Sequence, residues 1–184
     1  MTEQEANELL TSRILNKKLH SIKVYNHHQP YPFVEDNEAV VVSAAVAFLF
    51  EDEPITFYWH LEDSIFNFSL AKVEVDEDWD DIEITNIDTF KNMEGDEVIE
   101  VAINWTYFQK LDENFEILEE KLYVPQEMVL SFSNGSQLQI ACVDFNIDPV
   151  SNDLVNLSYH MSGGLLISAV PYTEIAAPVF NDIQ

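Results

Sequence analysis

Val129-Leu-Ser-Phe-Ser-Asn-Gly-Ser-Gln-Leu-Gln-Ile140 decides the fold class of this chain. Two apolar runs flank Asn134-Gly135, and that dipeptide between such runs is the strongest short-range hairpin signal. Strand-like segments continue on both sides of it. Met128 to Phe132 and Leu138 to Phe145 form the arms, Val98 to Phe108 and Phe115 to Val124 precede them, and Leu154 to Met161 and Leu165 to Ala169 follow. Leu111-Asp-Glu-Asn114, Asp148-Pro149 and Gly163-Gly164 supply turn chemistry between them.

The same texture extends upstream. Leu19 to Tyr25 is short and rich in branched residues, and His27-His-Gln-Pro-Tyr-Pro32 is a proline-broken loop. Ala39 to Phe50 reads as one strand buried on both sides. Ile55 to His60 reads as its hairpin partner across Glu51-Asp-Glu-Pro54. Ser64 to Val75 alternates, and Glu94-Gly95-Asp96 is a turn. Only the start departs from this pattern. Thr2 and Glu5 have capping-box spacing, Leu9, Leu10 and Ile14 recur at helical intervals, and Arg13, Lys17 and Lys18 place cations where a helix dipole favours them. About ten strands joined mostly by short turns predict a mainly β fold, an antiparallel β-sandwich or half-open barrel with an N-terminal helix. The length fits a single domain, 1–184. Phe48 to Phe57 and Leu130 to Ile140 share an aromatic, a polar turn and a returning strand, so two related β halves, 19–90 and 97–170, are an alternative organisation. The tail from Pro171 to Gln184 reads as an extended strap or a loose end.

Charge sets the choice of partner. The chain has 34 acidic and 8 basic residues, a formal net charge of −26. Twelve carboxylates and one lysine, Lys91, fall between Val73 and Glu100. Such a field repels nucleic acid and anionic membrane and attracts basic surfaces. At 47% hydrophobic and 12% aromatic the chain is too apolar for an acidic coil, so the charge belongs to a folded surface. Cys142 is the one cysteine, which excludes an internal disulfide. The acidic N-terminus lacks a signal-peptide pattern, and no apolar run approaches membrane-spanning length. A cytoplasmic protein is the expectation.

Chemistry-bearing motifs are few. Asp76-x-Asp78-x-Asp80 opens like a calcium loop, but Asp81 stands where that loop needs Gly and Ile87 where it needs Glu. His27 and His28, with His20, His60 or His160, lack the ligand spacing of a zinc site. Met161-Ser162-Gly163-Gly164 lies between two strands, where a serine elbow needs a strand and then a helix. Cys142 is in phase with Leu138 and Ile140 and reads as a small core residue. With 34 carboxylates, acid pairs at glycosidase spacing arise by chance. No phosphate-binding loop is present. The expectation is a protein without catalytic residues, metal or cofactor.

There remains the acidic run with an aromatic at its centre: Asp76, Glu77, Asp78, Trp79, Asp80, Asp81 and, just beyond, Glu83. One reading is a solvated loop or an edge strand whose charges discourage pairing. The other is a docking surface, where Trp79 anchors and the acids steer. A second function class would use Trp59, Trp105, Tyr107 and Phe108 to line a ligand pocket or an active site in a barrel-like fold. Their alternating phase fits ordinary core as well. A third is self-association through a sheet edge, which the charge opposes. The segment Val129 to Ile140 resembles the hairpin of bacterial polymorphic-toxin immunity proteins. That resemblance implies a stoichiometric protein partner, no cofactor and no turnover; the charge of the chain points to a basic partner, such as a toxin nuclease. It carries over no binding residues.

Overall fold

The computed structural model describes residues 3–27, 39–51, 54–60, 65–70, 79–84, 88–108, 114, 116, 122–151, 154–161 and 163–176. Among these the chain forms two helices and eleven strands: α1 (Glu3–Ile14), β1 (Leu19–His27), β2 (Ala39–Val42), β3 (Ala45–Phe50), β4 (Pro54–His60), β5 (Ile65–Ser69), β6 (Trp79–Glu83), α2 (Asp88–Lys91), β7 (Val98–Phe108), β8 (Leu122–Phe132), β9 (Gln137–Ile147), β10 (Leu154–Tyr159) and β11 (Gly164–Ser168). They build two antiparallel sheets. The first has the order β5-β4-β3-β1-β6 and the second β2-β11-β9-β8-β7, with β10 paired to the far half of β9. The sheets face each other as a sandwich and do not close into a barrel.

The interior follows from the alternation of the strands. Ile22 and Val24 of β1, Phe48 of β3, Phe66 of β5, Leu130 and Phe132 of β8, Leu138 and Ile140 of β9 and Leu165 and Ile167 of β11 form one buried cluster. Helix α1 adds Leu10 and Ile14 to it, and Phe90 and Met93 join from the α2 turn. Ala6, Leu10 and Ile14 are the buried face of α1, so that helix is held by packing. A second cluster lies on the other side of the second sheet: Ala39, Val41, Ala141, Val143, Leu157 and Leu166, with Tyr159, Tyr172 and Ile175 packed against it. Strands β2 and β11 are therefore buried on both faces, and their near-continuous apolar composition is what such burial requires.

Ala39 to Phe50 is not one strand. Its first four residues pair with β11 in the second sheet and its last six with β1 and β4 in the first. The crossing is at Ser43-Ala44. Asn26 Oδ1 accepts the Ser43 N–H at 2.9 Å, and the Ala44 N–H donates to the Tyr25 carbonyl at 3.2 Å. Phe115 to Val124 and Met128 to Phe132 are likewise not two strands. Leu122–Phe132 is continuous, and Pro125 is accommodated because the β7–β8 register shifts between Asn104 and Trp105 there. The N-terminal part of that expected segment falls largely outside the described residues. Helix α2 was absent from the sequence reading. Of the expected strand Ser64 to Val75, the described residues contribute Ile65–Ser69, and 64 and 71–78 lie outside them.

Two of the expected turns, Asn134-Gly135 and Asp148-Pro149, are present, whereas Leu111 to Glu113 lie outside the described residues. Gly135 has φ 88, and its N–H donates to the Phe132 carbonyl at 2.9 Å. The Phe132 N–H donates to the Ser136 carbonyl at 2.9 Å, so Asn134-Gly135 closes the β8–β9 hairpin through a bulge. At the β9–β10 turn, Asp148 Oδ1 accepts the N–H groups of Val150 (2.8 Å) and Ser151 (3.0 Å), and these bonds hold its carboxyl below the usual range. The tail is a strap as far as it is described. Gln139, 1% exposed, accepts the Tyr172 N–H at 2.8 Å and donates to the Tyr172 carbonyl at 3.1 Å, while Ala176 bridges β10 in parallel.

Candidate functional site

The acidic run lies in part on an edge strand. Strand β6 pairs with β1 alone among the described strands. Its register sets Trp79 opposite His27, Asp81 opposite Tyr25 and Glu83 opposite Lys23, with Ile82 opposite Val24. Val24 and Asn26 are buried, whereas Lys23 and Tyr25 are half-buried. Positions 81 and 83 thus pair with half-buried residues of β1. Asp80 is exposed. Asp76, Glu77 and Asp78 fall outside the described residues, so three of the seven expected site residues have no place in this account.

Trp105 packs against the main cluster and donates its indole N–H to Asn7 Oδ1 at 3.2 Å. Tyr107, 49% exposed, meets the Tyr123 ring at 6.0 Å. Trp59 and Phe108 belong to β4 and β7. Cys142 is buried in the sandwich, which pushes its thiol up to about 12 and leaves it protonated at neutral pH. No three His, Cys, Asp or Glu side chains form a metal-ligand group among the described residues.

Two features were not read from the sequence. The first is a polar chain under the strap. Glu127 accepts from Gln139 Nε2 at 2.6 Å on one oxygen and from the Tyr159 hydroxyl at 2.9 Å on the other. Desolvation first, then the Glu127 carboxylate, push the Tyr159 hydroxyl up to about 12 from 10. A tyrosine whose folded value is raised contributes stability that is whole below pH 10 and is lost as pH climbs towards 12. Tyr159→Phe is expected to flatten that part of the alkaline stability profile relative to the wild type and to cost about 1 kcal/mol at pH 7. Urea titrations between pH 7 and 11.5 measure both, and matching profiles would remove the Tyr159–Glu127 contribution.

The second is a cleft of about 280 Å³ at the Leu19 end of β1, lined by Ser12, Arg13, Lys17, Phe50, Pro54, Ile55 and Leu70. Asn16, at φ 61, turns the chain out of α1, and its N–H donates to the Val98 carbonyl at 2.8 Å, which fixes Lys17 beside the sheet. The one sequence signal was the gathering of Arg13, Lys17, Lys18 and Lys23, half of all the cations, into eleven residues.

No family model, curated protein or solved structure matches this chain. Its function has to be argued from its own geometry.

Proposed function

We propose that this chain is a stoichiometric binding protein that neutralises a basic protein partner, as an immunity factor or inhibitor does. Carboxylates stand in for the phosphates that a cationic nuclease site receives. The observation that carries the reading is an acidic strand at a sheet edge among the described strands, with Asp81 and Glu83 paired to the half-buried Tyr25 and Lys23 of β1. An edge strand offers backbone groups to an incoming segment, and acids along it select a cationic one. A net charge of −26 adds long-range steering.

The product of the neighbouring gene, purified, is the first partner to test. A 1:1 complex is expected, with association near 10⁸ per molar per second at low salt, slowing about tenfold or more once the screening length drops below about 8 Å. The variant D80N/D81N/E83Q should associate more slowly at low salt and lose most of the salt dependence. A complex whose association rate ignores salt counts against the reading. So does the absence of a complex with that product and with every basic protein recovered on the chain as bait.

A further inference from the structure

We propose that the cleft at the C-terminal end of α1 binds a small anion carrying a short apolar body, a carboxylate or phosphomonoester with a chain of about six carbons. This goes beyond the protein-binding reading and does not rest on it. Leu19 pairs with Phe50, which lines the cleft, whereas β6 pairs with β1 from Lys23, opposite Glu83, to His27, opposite Trp79. Four residues of strand separate Leu19 from Lys23, about 13 Å, and eight separate it from His27, about 26 Å. Even the nearest β6 acid is more than one screening length from Leu19 at physiological salt, about 8 Å.

The walls differ in chemistry. One side is the last turn of α1 and the residues after it, with the Ser12 hydroxyl, the Arg13 guanidinium and the Lys17 ammonium. On the other side Phe50 and Ile55, each 2% exposed, close the floor, and the half-buried Pro54 and Leu70 form the rim. The helix dipole accounts for cations at this end of α1. It does not account for an apolar wall facing them across open volume. A purely apolar guest would gain nothing from the cations, and a bare anion would gain nothing from the apolar lining. A head carrying negative charge with a short hydrocarbon behind it satisfies both. Arg13 and Lys17 each already have a polar or electrostatic partner, so the ligand head joins or exchanges with those contacts. The volume is just under the usual range for ligand pockets, which keeps the guest small.

Calorimetric titration of the whole chain tests this with hexanoate, hexyl phosphate, hexanol and inorganic phosphate. Hexanoate, hexyl phosphate or both should saturate one site below about 5 mM, in keeping with the affinity per atom of small ligands. Whichever binds more tightly identifies the head group. Hexanol and inorganic phosphate should bind at least about tenfold more weakly. R13Q/K17Q should weaken the amphiphile about tenfold while leaving the circular dichroism unchanged, since Arg13 is exposed and Lys17 half-buried and neither belongs to the core. Amide shifts on adding the ligand should centre on Ser12, Lys17, Phe50, Ile55 and Leu70. The proposal is overturned if neither amphiphile saturates by 20 mM, if hexanol or phosphate matches them, if the double variant binds as well as the wild type, or if the shifts centre elsewhere. Failure here leaves the complex formed through β6 untouched.

Discussion

Gly163→Ala is expected to cost about 3 kcal/mol or more of folding stability. A Cβ built on Gly163 overlaps the Val143 carbonyl oxygen and comes within 2.7 Å of its carbon and 3.0 Å of the Asp144 nitrogen. The atoms in the way are backbone of β9, the strand that pairs with β8, β10 and β11. No rotamer change relieves the overlap, so two strands must part. Gly135→Ala is the control. Its φ of 88 disfavours a side chain, but nothing lies within 4 Å of the added carbon, so about 1–2 kcal/mol is expected from backbone conformation alone. Urea unfolding of both variants separates the two causes. Equal losses would mean that the close approach at Gly163 has no special weight.

Phe48→Ala should be as damaging, at about 3–5 kcal/mol. Phe48 is fully buried on β3 and meets Phe57 edge to face with ring centroids 6.2 Å apart. Truncation removes a whole ring from the centre of the sandwich and leaves a cavity that the paired strands on either side cannot collapse to fill. Leu49, the next residue, is 43% exposed, and Leu49→Ala should cost less than about 1 kcal/mol. A small loss at Phe48 would mean that the two sheets repack far more freely than their interior implies.

The antiparallel character of the fold was readable because it rests on local chemistry. Asn134-Gly135 needs only its own backbone to mark a hairpin, and α1 announces itself by Leu10 and Ile14 one turn apart. Two of the departures arise where a distant contact decides. The apolar run from Ala39 carries no alternation to show that it changes sheets, since β2 is buried on both faces and the signal for the corner is Asn26, on another strand. The gap expected between Val124 and Met128 is closed by a bulge at Pro125 that is visible only in the pairing with β7. At four residues, α2 is too short to show a period.

The same divide runs through the candidate sites. Asp80, Asp81 and Glu83 lie within four residues, so their place on one strand could be inferred, although its position at the sheet edge could not. The cleft draws on Ser12, Arg13 and Lys17, on Phe50, Pro54 and Ile55, and on Leu70, and the chain of Gln139, Glu127 and Tyr159 on three different strands. Nothing in a linear reading brings such residues together.

The corner at Ser43-Ala44 has a consequence for how the molecule assembles. Nearly all of the first sheet comes from one stretch of chain and nearly all of the second from another, yet β2 is lent across, with Ala39 laddered to Ser168. That clasp closes the largest loop among the described strand pairings, so its entropy is recovered only when both layers are already in place. Dividing the polypeptide between α2 and β7 would therefore yield one fragment with a dangling apolar strand and another with a naked groove beside β11, each adhesive until it met the other.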